Sequence, residues 1–436
     1  MTLDPKIMRA VEQLNYRATV GDVAAYAGLE VNLAQRGLLT LASETNGHLQ
    51  VSESGEIAYF LPQNFRTILR NKSLRLRFQE WRTRVWQFLF YLIRISFGIL
   101  LIVSIILIFV TITVILIAMS NSRGGNSNNR KHGSSIPLFL PHFRFGPDLF
   151  WFFSLNHHRH AQKRSVQHSH QKDGGDGQLN FFEAVFSFLF GDGDPNANLE
   201  ERRWQTIGTV IYNQGGAVVA EQIAPYLDIA KTQAIDEDYM LPTLIRFDGY
   251  PEVSSIGDII YHFPVLQTTA TAKWQKAVPG YLQELFWSFS RVRPEQLSLV
   301  AGLGFLNLIG ALILRGLLSD GTIALQLGGL VAFAQSVFWI LLGYGIGFLG
   351  VPLVRYFWIR GRNRQIERRN QKRKEYATVV NQADAKLRTK IKFAQEFASQ
   401  SILTREDVAY TTEKEVLEQE IEHLDGADRN GQHLLS

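Results

Sequence analysis

Histidines are concentrated in one part of this 436-residue chain, where their imidazole nitrogens could bind zinc, nickel or copper. Seven of the eleven histidines lie between His132 and His170, and they include the closely spaced groups at 157–160 and 168–170. Such tracts bind metal when regular ligand spacing and carboxylate partners hold the imidazoles in place. Because this spacing is irregular and lacks carboxylate partners, we predict a solvated loop and no metal site.

A second candidate site is the polar turn at 192–198, which places side-chain oxygens at alternate positions, as calcium-binding loops do. The turn departs from that motif where coordination depends on it. Ala197 replaces the glycine of the sharp turn, and Arg203 stands where a bidentate glutamate should be. We therefore predict a polar turn in which Asn198 caps a helix that begins at Leu199.

Catalytic chemistry is not indicated by any motif in the sequence. The chain has no cysteine, which excludes disulfides, thiolate nucleophiles and cysteine-ligated zinc or iron–sulfur centres. No Ser-His-Asp arrangement, P-loop or HExxH motif is present. The sequence therefore predicts a protein that is not an enzyme, with no catalytic, cofactor-binding or metal-binding residues.

A glycine pattern of the form G-x-G-x-x-G occurs at 345–350, inside a long apolar run. Dinucleotide binding needs a strand, that loop and a helix N-terminus in water, so the match carries no such function here. Gly343 and Gly347 are four residues apart, a spacing that favours close packing of membrane helices. We predict that these two glycines lie at a helix–helix contact.

Three uncharged apolar runs are long enough to cross a membrane. They lie at 95–119, 297–314 and 321–354, and about 20 apolar residues span the roughly 30 Å hydrocarbon core. The basic segment before the first run, at 63–94, is expected to contact anionic lipid. Two aromatic patches, one in the loop at 120–178 and one at Phe181–Phe190, are predicted to lie at the membrane interface.

The clearest pattern in the chain is an internal repeat. The motif V-S-x-x-G-[ED]-I-x-Y-x-x-P occurs at 51–62 and again at 253–264. Alternating apolar residues around a glycine predict a β-hairpin, which the proline ends. Helical spacing of apolar residues predicts three helices before each hairpin, and Thr19 with Asp22 predicts a capping box for the second helix of the first copy.

Three helices followed by a hairpin are the plan of a winged helix. The predicted fold is therefore an α-helical membrane protein with α+β parts: two winged-helix-like modules, about three transmembrane helices and a helical C-terminal tail. The predicted domains are module 1 at 1–62, a basic juxtamembrane segment at 63–94, a transmembrane segment at 95–119, a His/Asn/Gly-rich loop at 120–178, an interfacial segment and polar turn at 179–199, module 2 at 200–266, a linker at 267–296, transmembrane helices at 297–318 and 322–356, and a charged helical tail at 357–436.

Charge around the spans predicts the side of the membrane on which each part lies. Lys and Arg cluster at 355–374, after the last span, whereas the turn at 319–321 has none, so the tail and module 2 are predicted to be cytoplasmic. Basic residues at 66–84 also predict that module 1 is cytoplasmic. A single membrane crossing at 95–119, however, would put the two modules on opposite sides of the membrane. Either the charge rule fails once, or the stretch at 86–119 turns back, or an aromatic patch adds a crossing. We favour both modules at the cytoplasmic face.

A winged helix that binds DNA places its third helix in the major groove, where Arg, Lys, Asn or Gln contact base edges. In module 1 that helix, predicted at 31–42, offers Asn32, Gln35 and Arg36, and its counterpart near 236–238 is acidic. Because phosphates repel acidic side chains, nucleic acid is a disfavoured partner, and protein contacts are favoured.

Three motifs carry a resemblance to a known family: the repeat, Phe186–Gly193 (FSFLFGDG) and Pro352–Ile359 (PLVRYFWI). With them the chain resembles an uncharacterised family of integral membrane proteins of cyanobacteria and plant chloroplasts. The resemblance covers nearly the whole chain and implies a photosynthetic host and a cyanobacterial plasma or thylakoid membrane. Some plant members carry an iron–sulfur cluster biosynthesis label, and the family supplies no catalytic residues.

Together these patterns predict a non-enzymatic membrane scaffold or assembly factor that binds protein partners through its paired modules at the cytoplasmic face. The alternative is a membrane-tethered regulator that binds nucleic acid. Transport is a third reading, for which the spans offer few polar residues: Asn307, Gln326 and Gln335. Membrane lipids and unidentified proteins are the expected partners, homo-oligomer formation is left open, and no cofactor is expected.

Overall fold

The computed structural model describes residues 4–72, 74–122, 181–229, 237–270, 277–319, 322–404 and 407–413. The chain divides into two compact units. Unit 1 takes its described residues from 1–81, 194–286 and 363–436, and unit 2 takes them from 82–193 and 287–362. The predicted His/Asn/Gly-rich loop, with its histidines and its aromatic patch, lies outside the described residues.

Helices dominate the described residues, and short strands form three small sheets. The helices are α1 (Pro5–Gln13), α2 (Val20–Ala27), α3 (Val31–Thr45), α4 (Phe65–Lys72), α5 (Leu74–Ser122), α6 (Phe181–Phe190), α7 (Leu199–Asn213), α8 (Ala220–Ile223), α9 (Leu241–Phe247), α10 (Pro294–Leu318), α11 (Thr322–Leu327), α12 (Gly329–Ser336), α13 (Phe338–Asn381) and α14 (Ala385–Phe397). The strands are β1 (Arg17–Thr19), β2 (His48–Ser52), β3 (Ile57–Phe60), β4 (Ala217–Val218), β5 (Tyr250–Val253), β6 (Ile259–His262), β7 (Thr268–Thr269), β8 (Ser401–Ile402) and β9 (Val408–Thr411). Short 3₁₀ turns lie at Ala224–Tyr226, Asp238–Met240 and Pro264–Leu266.

Modules 1 and 2 have the same order of elements within unit 1. Each has a helix, a strand, two further helices and a hairpin, and in each the first strand pairs antiparallel with the last. The predicted capping box of α2 is confirmed. The Thr19 N–H donates to the Asp22 carboxylate (3.0 Å), and the Asp22 N–H donates to the Thr19 hydroxyl (3.1 Å).

The two hairpins have the same turn geometry. The Ser52 N–H donates to the Glu56 carbonyl (2.9 Å), and the Ser254 N–H donates to the Asp258 carbonyl (2.9 Å). The glycine of the motif has a positive φ in both turns, 84° in the first and 86° in the second. Only glycine adopts this backbone readily, which explains its place in the motif.

One hydrophobic core joins the two modules, and α2 of module 1 packs on α7 of module 2. Two glycines allow the two modules to approach each other closely. A Cβ on Gly208 would lie 2.7 Å from the Ala25 carbonyl oxygen, and one on Gly21 would lie 1.9 Å from the Val265 carbonyl oxygen. Because the neighbouring atoms are backbone, a side chain at either glycine would force the modules apart.

From residue 363 onwards the C-terminal tail belongs to unit 1, and the last helix of its described part ends at Phe397. Strand β8 pairs in parallel with β7, and β9 extends the sheet of module 1 to the order β1-β3-β2-β9. Arg17 holds this segment by donating to the carbonyls of Ala270 (3.0 Å) and Leu403 (2.8 Å). The prediction of a helical tail is thus wrong at 398–404 and 407–413, where the described backbone is not helical and pairs through β8 and β9. The predicted linker at 267–296 likewise contributes β7 to unit 1.

Among the described residues, three helices are long and apolar enough to cross a membrane: Trp81–Ser120 within α5, α10 and α13. The predicted span at 322–356 differs from the structure, because Gly328 and Gly329 have φ values of 56° and 48° and separate α11 from α12. Left-handed backbone interrupts the hydrogen-bond pattern of an α-helix. A second break at Val337 ends α12, and the third long helix begins at Phe338.

Helix α6 is part of the interior of unit 2. Its side chains Ala184, Val185 and Phe188 are buried and share a hydrophobic cluster with Leu101 and Val300. The sequence predicted an interfacial segment at this position. The structure packs one face of the helix against α10, because aromatic and small residues alternate with helical spacing along α6, and the position at the membrane interface stays a prediction.

Candidate functional site

The solvent-facing side of α3 carries both polar and apolar residues. Asn32, Gln35 and Arg36, which the sequence offered for base contacts, are all exposed. Leu33 and Leu39 are 45% and 52% exposed on the same helix. A surface with two leucines and one arginine is poorly suited to neutralising phosphates, which requires clustered positive charge.

The corresponding helix of module 2, α9, is still more apolar on its exposed side. Leu241 is 58% exposed and Ile245 is 65% exposed. The arginine of this helix is used inside unit 1: Arg246 lies over the Trp204 ring (4.3 Å) and donates to the Gly28 carbonyl (2.8 Å). Burial lowers the pKa of Arg246. The exposed face of α9 therefore presents aliphatic side chains without a cation.

The hairpin after α9 adds three more exposed aliphatic side chains. Val253 is 63% exposed, Ile256 in the turn is 71% exposed, and Ile259 is 36% exposed. Aliphatic residues that remain in contact with water on both a helix and the adjoining hairpin are typical of surfaces that bind another macromolecule. We name Leu33 and Leu39 with Leu241, Ile245, Val253, Ile256 and Ile259 the aliphatic surface residues.

Glu237, an acidic residue near the start of the third helix of module 2, is paired within unit 1 together with Glu221 of α8. Lys390 of α14 is 6% exposed, and its Nζ donates to both carboxylate oxygens of Glu221 (3.0 Å each) and to Glu237 (2.7 Å). The Tyr261 hydroxyl donates to the other oxygen of Glu237 (2.8 Å). Burial acts to lower the pKa of Lys390, but Glu237 and Glu221 outweigh it and raise the pKa. These groups border a cavity of about 760 Å³ and hold α14 in place.

A second buried charge network holds the C-terminal part of α13 in unit 1. Arg373, 1% exposed, pairs with Asp228 (2.6 Å) and with Glu284 (2.9 Å). Arg369 donates to both oxygens of Glu284 (2.7 and 2.6 Å). Burial acts to raise the pKa of Glu284, but the two arginines outweigh it and hold the pKa below its ordinary value. The charges are therefore paired to each other, and their role is structural.

Sequence signals for these networks were weak. Lys390 and its partner Glu221 are 169 residues apart, and Arg373 and Asp228 are 145 residues apart. No local spacing connects such residues, so only folding brings them together. The sequence predicted only a charged helical tail, whereas two of its described cations, Arg373 and Lys390, are buried.

The oxygens of the polar turn at 192–198 point to different backbone partners. Asp192 accepts from the Arg291 N–H (2.7 Å), and Asp194 accepts from the Asn196 N–H (2.8 Å). The helix after the turn begins at Leu199, as predicted, but the Asn198 side chain makes no capping hydrogen bond. Within the described ranges, no group of three or more His, Asp or Glu side chains could hold a metal ion.

The glycines of the last apolar run lie in the continuous helix α13. The predicted contact at Gly343 and Gly347 is wrong, because a Cβ at either position would have no described atom within 4 Å. The close contacts between α13 and α10 are made by a different face of α13. A Cβ on Gly345 would lie 3.3 Å from Leu308, and one on Gly304 of α10 would lie 2.4 Å from the Phe348 ring.

Polar residues of the apolar helices are few. Asn307 of α10 is buried and accepts from the Ser104 hydroxyl (2.9 Å). Gln326 and Gln335, the other two residues that a transport path would need, are exposed. Arg315 lies over the Trp339 ring (5.8 Å) near the end of α10.

The architecture defines a class: a protein whose described part has three helices long and apolar enough to cross a membrane, together with a compact unit of helices and short strands. The chain is 36% identical to an uncharacterized chloroplastic protein of Arabidopsis thaliana over 443 residues, which cover 98% of this chain and 82% of that protein. The chain belongs to the family of that protein. No family model matches the chain, and no solved structure matches it.

Proposed function

We propose that this protein is a non-enzymatic membrane scaffold or assembly factor that binds protein partners through two winged-helix modules at the cytoplasmic face. The observation that carries the proposal is the set of aliphatic surface residues. Exposed leucine and isoleucine on the third helix of each module are unfavourable in water and become favourable when a partner covers them.

The winged-helix assignment rests on connectivity. In both modules the order is helix, strand, helix, helix, strand, strand, and the first strand pairs with the last. The shared motif at 51–62 and 253–264 supports a duplication, as do the matching turn hydrogen bonds. In this fold the third helix and the hairpin form the usual binding surface, which is where the exposed aliphatic residues lie.

The common core supports placing both modules on one side of the membrane. A hydrophobic core cannot be continuous across a lipid bilayer, so modules that share one core occupy one compartment. Of the three explanations considered for the charge pattern, the shared core disfavours a single failure of the charge rule. The explanation that the stretch at 86–119 turns back is wrong, because α5 is one continuous helix over this stretch. Arg and Lys at 355–374 support the cytoplasmic side, and the chloroplastic relative supports a plasma or thylakoid membrane of a photosynthetic cell.

Photocrosslinking in native membranes tests partner binding. A photoreactive amino acid at Leu39 or Ile245 is expected to give discrete adducts with a protein partner, because these side chains are 52% and 65% exposed on the proposed surface. The same amino acid at the exposed Thr389, on α14, is the control and is expected to give no such adduct. Equal adducts at all three positions, or none at Leu39 and Ile245, would contradict the proposal.

Nucleic-acid binding is the competing function, because winged helices also bind duplex DNA. Its distinguishing property is strong weakening by salt, since each phosphate contact releases counterions. Fluorescence anisotropy of the purified protein with labelled duplex DNA is expected to show no binding at low salt. Binding that weakens steeply with added salt, and that Arg36→Gln reduces, would favour the competing function.

A further inference from the structure

The two modules differ at one edge of their sheets. In module 1 the outer edge of β2 is paired antiparallel with β9 of the C-terminal tail, and the register places Val51 opposite Tyr410. In module 2 the equivalent strand β5 pairs with β6, and no other described strand lies at its outer edge. An edge strand carries unpaired N–H and C=O groups that can pair with another chain. The duplication therefore presents an occupied and an open copy of the same edge within one chain.

The hairpin hydrogen bonds identify the outward-facing residues of the two edge strands. In each motif the bonded residue before the turn is a serine, Ser52 or Ser254. Inward-bonded and outward-facing residues alternate along an antiparallel strand, so the first and third residues before each serine direct their backbone groups outwards. They are Leu49 and Val51 in β2, and Pro251 and Val253 in β5.

Proline at position 251 removes a donor that backbone pairing does not use. Its counterpart is Leu49, whose carbonyl accepts from the Thr412 N–H (3.0 Å) and whose N–H donates to the Thr412 side-chain hydroxyl (2.9 Å). The backbone of the added strand therefore needs only the carbonyl at this position. Pro251 retains that carbonyl, and edge strands tolerate proline where the missing N–H would face outwards. Strand β5 can thus accept a strand in the register that β9 has on β2.

Side chains at the β5 edge indicate the chemistry of the strand that fits it. Val51, opposite Tyr410, is half-buried, whereas Val253 is 63% exposed. A cross-strand side chain of an added strand would shield Val253 from water. The stretch at 247–272 has no lysine or arginine, and it carries three acidic residues: Asp248, Glu252 and Asp258. Charge complementarity therefore favours a strand with basic flanks.

We propose that the outer edge of β5 binds an extended segment of a partner protein as a fourth, antiparallel strand. The segment has a β-branched or aromatic residue opposite Val253 and lysine or arginine on its flanks. Main-chain hydrogen bonds supply affinity in this mode of recognition, and side chains supply specificity. The inference rests on the proposed function, because it names the kind of partner that module 2 of the scaffold binds.

A peptide with the sequence of residues 408–412 between two lysines tests the site on the full-length protein in detergent. Benzoylphenylalanine replaces the tyrosine of the peptide, and mass spectrometry locates the adduct after illumination. Adducts within 250–256 are expected. Adducts within 48–52 would mean that the peptide displaces β9, and that result, or no adduct at about 1 mM peptide, would overturn the proposal. The control peptide has glutamates in place of the lysines and is expected to label less, and equal labelling would overturn the basic character assigned to the partner.

Variants separate main-chain pairing from contact with an apolar surface. Val253→Pro removes an outward N–H of β5 and is expected to weaken peptide binding about tenfold, as measured by isothermal titration calorimetry. Unchanged affinity in the folded variant would overturn main-chain pairing.

The variant Pro251→Leu tests the register and does not depend on the folding of Val253→Pro. It restores the residue of module 1, and its new N–H needs an acceptor. Binding is expected to tighten about two- to tenfold when the peptide has threonine at the position of Thr412, and not when it has alanine there. An equal gain with both peptides, or a gain with neither, would overturn the proposed register.

Failure of this inference differs from failure of the proposed function. Partner adducts at Leu39 and Ile245 in native membranes, together with no peptide adduct at β5, would overturn strand addition alone. Peptide adducts at β5 without partner adducts at Leu39 and Ile245 would contradict the scaffold surface and support the edge site.

Discussion

Replacing Glu284 with alanine is expected to lower the free energy of unfolding by about 3 kcal/mol or more. Removal of one partner leaves uncompensated buried charge, which typically costs 3–5 kcal/mol, roughly. Arg373 is 1% exposed and would keep Asp228 as an ionic partner and the Leu282 carbonyl as an acceptor, while Arg369 would lose both of its hydrogen bonds to Glu284. Thermal unfolding of the detergent-solubilised protein measures the change as a lower midpoint temperature.

The control for this variant is the partly exposed pair between Lys6 and Glu201, whose side chains are 38% and 31% exposed. Lys6→Ala is expected to cost at most about 1 kcal/mol, because solvent screens such a pair. Equal destabilisation by Lys6→Ala and Glu284→Ala would contradict the burial argument.

The effect of Glu284→Ala is also expected to depend on pH. The pKa of Glu284 in the folded protein lies below its ordinary value of 4.5, because Arg369 and Arg373 outweigh the effect of burial. A carboxylate with a lowered folded pKa stabilises the protein above its unfolded pKa, and this contribution is lost as the pH falls below that value. The difference between the wild-type protein and the variant should therefore shrink below about pH 4.5. A difference that stays constant down to pH 3, roughly 1 to 2 units lower, would contradict the account.

Replacing Gly21 with alanine is expected to separate the two modules at considerable cost. The new Cβ would lie 1.9 Å from the Val265 carbonyl oxygen, and backbone atoms move less readily than the end of a flexible side chain. Overpacking a close contact typically costs 1–3 kcal/mol, and this clash places the variant near the upper limit, about 3 kcal/mol. Hydrogen exchange should then speed up in both α2 and α7, because each helix depends on the other for burial.

Gly280 provides the matched control for Gly21. It lies in the same unit, has no positive φ, and a Cβ there would have no described atom within 4 Å. Gly280→Ala is expected to change the unfolding free energy by less than about 0.5 kcal/mol. Faster exchange confined to α2, with α7 unchanged, would show that the modules do not stabilise each other.

Local sequence patterns were sufficient to predict the local structural elements. The capping box at Thr19 and Asp22 is a spacing of three residues, and the hairpin turns follow from a glycine between alternating apolar residues. Such features depend on neighbours in the chain. The helix and hairpin order of both modules could therefore be predicted, and with it the helices and the hairpin on which the aliphatic surface residues lie.

Contacts between distant segments were not predictable in the same way. Gly21 and Gly208 are ordinary helix residues in the sequence, and nothing near them indicates that backbone atoms of the other module lie against them. Strands β8 and β9 are two and four residues long, too short for an alternating pattern to be distinguished from loop. Gly343 and Gly347 have the spacing of a packing motif, yet the helix face that makes contact carries Gly345 and Phe348.

Our central proposal is that the two modules form one body on one side of a membrane. The chain has no cysteine, so single-cysteine variants can be labelled without background. Glu53 and Ser255 occupy equivalent, exposed positions of the two hairpins. In sealed membrane vesicles, a membrane-impermeant maleimide is expected to label Glu53→Cys and Ser255→Cys from the same side, the cytoplasmic one. Labelling of the two positions from opposite sides would contradict the shared core.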